Sequence, residues 1–298
     1  MLLLLWSLIL INMPTQTINK TTGEIIARKL GKVTAQQPSQ LRANSGFVIV
    51  NMAPSGAGKT TLIETLVDTP EHAVAYGPVC VLDVDGKAHV LRDNPNIDVF
   101  PAVTWTQVAA HCDALSESCK PYKTIVWDGV AILQSKSHEH VGVDKQDNPQ
   151  LRQNLYGKAN VLMIQIAQLS KILAEQGTNV IFNTWSKPKT MNTDTKVEMT
   201  QPDLTDKLLR DFIGIMDFVV YTECNSKVLI NGRQVQGPYP PIMRTGGSTE
   251  YATRTAVSPD SPLRNMPDVI YNPSLATLID CFHGAPWPTA KHAKPMYS

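Results

Sequence analysis

FVIVNMAPSGAGKTTLIETLV, residues 47–67, divides into three parts with different physical demands. Residues 47–51 (FVIVN) form a short β-branched apolar run, which suits a buried strand. Residues 53–58 (APSGAG) form a turn, and residues 59–67 (KTTLIETLV) read as a helix. Gly56 and Gly58 let the backbone bend so that successive N–H groups converge on phosphate oxygens. The helix N-terminus at Lys59 adds the positive end of its dipole. Lys59 brings a mobile cation for the β- and γ-phosphates, and the hydroxyl of Thr60 suits a Mg²⁺ ligand. Pro54, Ser55, Gly56, Ala57, Gly58, Lys59, Thr60 and Thr61 therefore form the candidate site for a nucleoside triphosphate, ATP with Mg²⁺ being the first choice. The bland alternative is a capped turn with an exposed lysine. The strand–turn–helix setting favours phosphate. One position departs from the pattern, since alanine, at Ala53, stands where the full motif begins with glycine. Alanine resists positive φ by roughly 1 kcal/mol or more. Either the chain enters the turn with negative φ, or its first bend differs.

Outward from this stretch, residues 79–84 (VCVLDV) read as a second strand, 97–100 as a short third, and 124–127 (TIVW) as another that ends at Asp128. Residues 104–118 read as a helix. The strongest helix is 151–176, where Leu155, Ala159, Leu162, Ile166, Leu169 and Leu173 mark one apolar face, with Gly177 just beyond as a C-cap candidate. Residues 179–184 (NVIFNT) form the next strand and 186–207 a long polar loop. Residues 218–222 and 227–230 read as strands, and Asn231-Gly232 signals a hairpin turn. Two or three short strands follow to about residue 257. Strands alternating with helices up to residue 184 imply a mostly parallel, helix-covered sheet. The antiparallel-looking strands after residue 217 would extend one edge. The expected organisation is an N-terminal extension over 1–45, one α/β domain over 46–282 and a Pro- and Lys-rich tail over 283–298.

A phosphate-binding turn needs an acidic residue at the end of a neighbouring strand to hold the metal's water shell. Asp128 fills that place. The competing role is a cap on the following helix. Asp83 and Asp85 end VCVLDVD, and strand alternation would put both on one face. One of them could orient or deprotonate an attacking water. A pair of turn aspartates before Gly86 is the competing reading.

Composition narrows the classes. Of 298 residues, 43% are hydrophobic and 18% charged, so a full core is affordable and wholesale disorder is excluded. The formal net charge of +1 shows no dominant basic face, so any nucleic-acid contact must come from local patches. The five cysteines are scattered without a CxxC pair, which suits reduced thiols in a cytoplasmic protein. Residues 1–12 (MLLLLWSLILIN) are apolar but too short to span a bilayer as a helix, and they lack the basic region and cleavage site of a secretory signal. A membrane or partner anchor, a buried or oligomer-contacting segment, and an upstream extension with Met13 as the natural start compete for them. No stable membrane insertion is expected. Ser137-His138-Glu139-His140 invites a metal reading, but no third ligand follows at suitable spacing, and a loop is preferred.

VLDVDG, TIVWDGVAIL and NVIFNTW, in that order after a phosphate-binding turn, resemble the RecA-like P-loop ATPases. Within that class the chain is similar to phage-encoded nucleotide-binding proteins, some of which are single-strand-annealing ATPases. The resemblance implies a RecA-like core, with helices on both faces of a mostly parallel sheet and an antiparallel extension at the C-terminal edge. It gives Lys59, Asp85, Asp128 and Thr184 catalytic roles. Asp85 takes the place of the catalytic carboxylate and Asp128 that of the metal-site aspartate. The polar end of NVIFNT, Asn183 or preferably Thr184, senses the γ-phosphate. Thr60 and Asp128 would hold Mg²⁺.

Two further segments match the family's loops that touch single-stranded DNA. They are about 135–152, with Lys136 and Lys145, and 186–206, with Lys187, Lys189 and Lys196. Trp185 could stack on a base, and the competing reading is core packing and ordinary solvated charge. The family acts as rings or filaments with a basic residue reaching the neighbouring site. Arg244, Arg254 and Arg264 are the candidates. Partners implied are single-stranded DNA, further copies of the chain and a single-strand DNA-binding protein, in the host cytoplasm if the chain is phage-encoded. Two rivals stay open: a nucleotide or small-molecule kinase, which would usually carry an arginine-rich lid, and a nucleotide-switched assembly module without turnover.

Overall fold

The computed structural model describes residues 45–119, 121–192, 197–224, 241–245 and 267–287, with short strands at 29–30, 33–34, 228–230, 233–235 and 254–255. Residues 1–12 and Arg264 lie outside them. The chain divides into two compact units, Met1–Ala43 and Asn44–Ser298. In the first, β1 (Lys29–Leu30) and β2 (Val33–Thr34) pair as an antiparallel hairpin.

The second unit begins with β3 (Val48–Ala53) and α1 (Lys59–Leu62), which tightens into a 3₁₀ turn over Ile63–Leu66, then α2 (Pro70–Tyr76). After β4 (Val79–Asp83) and β5 (Ile97–Pro101) comes α3 (Trp105–Glu117), opened by a capping box between Thr104 and Gln107. β6 (Thr124–Asp128) leads into α4 (Val130–Val141) and α5 (Pro149–Glu175). β7 (Asn179–Asn192), β8 (Val197–Pro202), α6 (Asp206–Ile215) and β9 (Phe218–Cys224) follow. The remaining elements are β10 (Val228–Ile230), β11 (Arg233–Val235), β12 (Pro241–Arg244), β13 (Arg254–Thr255), β14 (Val269–Tyr271) and α7 (Leu275–Phe282).

The main sheet runs β14-β12-β9-β3-β7-β6-β4-β5. From β9 to β5 every pairing is parallel, while β12, β13 and β14 are antiparallel at one edge. This is the expected α/β class. β3 is buried along its whole length because both of its faces carry apolar side chains. Val48, Val50 and Met52 join Leu82, Trp127 and Phe182 under α3, α4, α5 and α6. Ile49 joins Val81, Val126, Ile181 and Val220 under α1, α2 and α7. Burying each such side chain stabilises the fold by about 1.5–3 kcal/mol.

Several expectations need correction. The strand at 179–184 continues to Asn192, and the supposed loop 186–206 is an antiparallel arm, with Ser186 opposite Pro202 and Thr190 opposite Glu198. Residues 135–152, expected as a second loop, are mostly helical: they hold the end of α4, a 3₁₀ turn over Val143–Lys145 and the start of α5. β9 is parallel to β3, because α6 carries the chain back across the sheet before it. The apolar face of α5 is rotated from the one expected, with Ala159, Met163, Ile166, Ala167, Ser170 and Leu173 buried and Leu155, Leu162 and Leu169 at its margin. Gly177 does follow that helix with φ 97°, as a left-handed glycine stop. β10 and β11 pair antiparallel with Ile230 opposite Arg233, and Asn231 and Gly232, the expected turn, lie outside the described residues. Among the described residues no helix is long and apolar enough to cross a membrane. Burial pushes the thiols of Cys80 and Cys112 up to about 12, which makes them poor nucleophiles.

Candidate active site

β4, β6, β7, β3 and β9 are mutually parallel, so their C-terminal ends meet along one edge of the sheet, where such folds bind ligands. The register aligns Asp83 with Asp128, Asp128 with Asn183, and Asn183 with Asn51. Alternation turns all four toward the face that carries α1.

Gly56 and Gly58 have φ of 77° and 80°, and open space surrounds the position a Cβ would take at either. Backbone conformation, not crowding, is what asks for glycine there. Ala53 needs no such freedom. It is the last residue of β3, fully buried and paired with Trp185, and among the described residues Asn272 is the one non-glycine with positive φ. The chain thus enters the turn with negative φ. Pro54, Ser55, Gly56, Gly58 and Thr61 are exposed, while Ala57 is buried beneath them. Lys59, at the first position of α1, folds its ammonium back to donate to the carbonyls of Pro54 (2.9 Å) and Ala53 (3.2 Å).

Thr60 Oγ1 donates to Asp128 Oδ2 at 2.7 Å. Asn183 Nδ2 donates to Asp128 Oδ1 at 3.1 Å and to the Lys59 carbonyl at 3.4 Å. Asp128 is only 3% exposed. Burial holds its carboxyl above the usual range. The hydrogen bonds from Thr60 and Asn183 oppose that, and the charges of Asp85 and Asp83 add to it. A buried carboxylate with a hydroxyl oxygen 2.7 Å away suits a hard divalent cation, so the Thr60–Asp128 pair fits Mg²⁺.

The two upstream aspartates separate. β4 stops at Asp83, whose carboxylate accepts from the backbone N–H of Gly86 (2.9 Å), Lys87 (3.0 Å) and Ala88 (3.1 Å). It is a turn aspartate, and the alternation expected through Asp85 ends with the strand. Asp85 instead lies beside Gly129, close enough to Asp128 to raise its pKa. Its Oδ2 pairs with Lys87 Nζ at 3.1 Å, and that ammonium also sits 5.7 Å from the centre of the Trp185 ring.

Thr184 is not brought to this cluster. Its side chain alternates to the opposite face from Asn183 and donates to the Trp185 carbonyl at 3.3 Å. The polar end of β7 reaches Asp128 through Asn183. Sequence reasoning passed over Asn51 and Thr222, whose signal is a polar residue closing an apolar run (FVIVN, FVVYT). Asn51 Nδ2 donates to Asn183 Oδ1 at 3.1 Å, and Thr222 Oγ1 donates to Asn51 Oδ1 at 2.7 Å.

The residues expected to touch DNA are dispersed. Lys136 is on α4 beside Glu139 (3.4 Å), and Lys145 is exposed. Lys187, at the root of the arm, donates to the Leu204 carbonyl (2.7 Å) and pairs with Asp203 (3.3 Å). The side chain of Lys189 and the whole of Lys196 lie outside the described residues. Arg244 holds Glu223 at 2.8 Å within its own chain, and the side chain of Arg254 is outside the described residues. Ser137–His140 belongs to α4 rather than a loop: His138 meets Tyr156 edge-on and His140 stacks on Trp105. Among the described residues no group of three or more His, Cys, Asp or Glu could hold a metal.

The family described as AAA domain matches residues 45–255, which covers the P-loop, Asp85, Asp128, Asn183 and the arm. No curated protein matches the chain. Among solved structures it is similar to a KaiC-like protein from the hyperthermophilic archaeon Pyrococcus horikoshii OT3, at 13% identity over 72% of this chain and 83% of that one, with a TM-score of 0.39. That likeness is too low to bear on fold or function.

Proposed function

The chain belongs to the AAA domain family, and on that premise we propose that it hydrolyses ATP and acts on single-stranded DNA in recombination, annealing or repair. The observation that carries the ATPase part is the Thr60–Asp128 hydrogen bond at the mouth of a glycine-bent turn. Lys59 leaves the carbonyls of Ala53 and Pro54 for the β- and γ-phosphates, a change within reach of its flexible stem. The backbone of residues 54–60 and the N-terminus of α1 cradle the phosphate oxygens. Thr60 and Asp128 would hold Mg²⁺, which when bound would supply charge neutralisation at the phosphates. Asp85 orients a water for in-line attack on the γ-phosphorus and accepts its proton, while the bond to the β–γ bridging oxygen breaks. Asn183, donating from the end of β7 to Asp128, supports the metal-site carboxylate.

The DNA part rests on the resemblance to phage RecA-like proteins and on one placement: the β7–β8 arm starts at Trp185, next to the site. The arm supplies the second DNA-contacting segment as a hairpin. The chain works as a ring or filament in the cytoplasm, alongside a single-strand DNA-binding protein. ATP turnover measured with and without single-stranded DNA tests this. Stimulation by DNA supports it. Turnover indifferent to DNA, together with no DNA binding in low salt, removes the DNA role and leaves the ATPase. Tight ATP binding without turnover would indicate an assembly switch, and a phosphorylated mononucleotide product would indicate a kinase.

A further inference from the structure

Four buried side chains form a hydrogen-bonded line across the sheet from β9 to the P-loop. Thr222 donates to Asn51, Asn51 to Asn183 and Asn183 to Asp128, and Thr60 donates to the same carboxylate from the other side. Asn51 and Asn183 are fully buried, and Thr222 is 1% exposed. The direction of donation is dictated by chemistry. An ionised carboxylate only accepts, so Asn183 must present its NH₂ to Asp128. Its carbonyl oxygen then faces Asn51, which must present NH₂ in turn. That leaves the Asn51 oxygen in need of a donor, and the Thr222 hydroxyl is that donor. Water has no access to substitute for any member, so each missing donor leaves a buried acceptor unsatisfied.

We propose that Asn51 and Thr222 are positioning residues for the metal site, acting through the amide of Asn183. Neither donates to Asp128 itself. The Thr222 hydroxyl satisfies the Asn51 oxygen and Asn51 satisfies the Asn183 oxygen, so each amide is held in place by the next. With the amide of Asn183 fixed, one Asp128 oxygen is occupied by a donor, and the other, shared with Thr60, is left to face the cation. Without the line, Asn183 can turn its oxygen toward Asp128. Two acceptors then oppose each other, and the carboxylate loses both its orientation and a hydrogen bond that favours its charge. The proposal rests on the ATP–Mg²⁺ reading of the Thr60–Asp128 pair.

Thr222→Val removes the hydroxyl while keeping the shape, Thr222→Ser restores it, and Asn51→Leu cuts the line one link nearer. The readout is equilibrium binding of a fluorescent non-hydrolysable ATP analogue by the full chain, titrated with Mg²⁺ and repeated in EDTA. Loss of one buried hydrogen-bond donor should raise the Mg²⁺ concentration at half-maximal binding about fivefold in Thr222→Val, with EDTA affinity unchanged. Thr222→Ser should lie within about twofold of wild type. Asn51→Leu should exceed Thr222→Val if it folds, and Thr222→Val stands alone if it does not. A Thr222→Val protein with native circular dichroism and a wild-type Mg²⁺ midpoint overturns the proposal, as does an equal loss of affinity with and without Mg²⁺. A wild type whose nucleotide binding ignores Mg²⁺ overturns the metal reading beneath it and the proposal with it.

Discussion

Thr60 and Asp128 are 68 positions apart in sequence and 2.7 Å apart in space, joined by a hydrogen bond from the first turn of α1 to the last residue of β6. That single contact brings the phosphate turn and the acidic strand end into one site, although β7 lies between their two strands.

Asp128→Asn should abolish hydrolysis yet stabilise the nucleotide-free protein. Burial holds the Asp128 carboxyl above the ordinary range, so the folded chain keeps its proton more tightly than the unfolded one. Native stability therefore falls as pH rises from the unfolded carboxyl's pKa, about 3.9, through the higher folded value. The asparagine form lacks this penalty. Melting curves without Mg²⁺ should give it the higher Tm at neutral pH, with the gap closing toward acid. Parallel pH profiles of Tm would remove the claim.

Lys87→Met should raise basal ATP turnover and weaken its response to DNA. The Lys87 ammonium pairs with the candidate water-orienting carboxylate of Asp85 while lying over Trp185. Lys87 is 63% exposed, so the effect is small, at most about fivefold. Asp85→Asn should instead lower turnover by about 10²–10⁴. Steady-state ATPase rates of the two variants decide it, and a lower basal rate in Lys87→Met would show that its ion pair does not hold Asp85 back.

Trp185→Ala should weaken binding to single-stranded oligonucleotides by about 1–3 kcal/mol, the cost of losing one stacked base. Fluorescence anisotropy at several salt concentrations measures it. Unchanged affinity at every salt concentration would show that no base stacks at the arm's root.

Phe282→Ala should destabilise the domain by about 3–5 kcal/mol. Phe282, 6% exposed, stacks on Phe218 of β9 and meets Phe47 edge-on with ring centres 5.5 Å apart, and with Leu275, Leu278 and Ile279 it closes the α1 side of the core. Chemical denaturation gives the value, and a loss below about 1 kcal/mol would show that α7 is not integral to the core.

The parallel half of the sheet was readable because its strands are buried on both faces and written as unbroken apolar runs, each followed by a turn or helix signal. The P-loop and Asp128 were readable for the same reason, since local order placed them at strand ends. The arm was not. Residues 186–202 (SKPKTMNTDTKVEMTQP) carry mostly polar letters, and Pro188 further disguises the strands. The direction of β9 depends on α6, a helix of only ten residues (DKLLRDFIGI) next to the polar run 186–207, and it is this crossover that makes the strand parallel. α4 was lost where its polar end, QSKSHEH, resembles a loop. Asn51, Asn183 and Thr222 are single polar letters at the ends of apolar runs. Only pairing across strands 132 and 171 positions apart gives them meaning, and that is invisible to any local window. Thr184 was preferred over its neighbour Asn183 for want of the strand's phase relative to α1.

Ala53 pairs with Trp185, so the residue that opens the phosphate turn and the residue that opens the arm are rungs of one ladder. A glycine at that position would act as a pivot between them. An extended, buried alanine is a splice. A tensile load on the arm would be resisted in shear by the six paired positions between β3 and β7, from Val48 to Ala53, rather than absorbed by a soft joint.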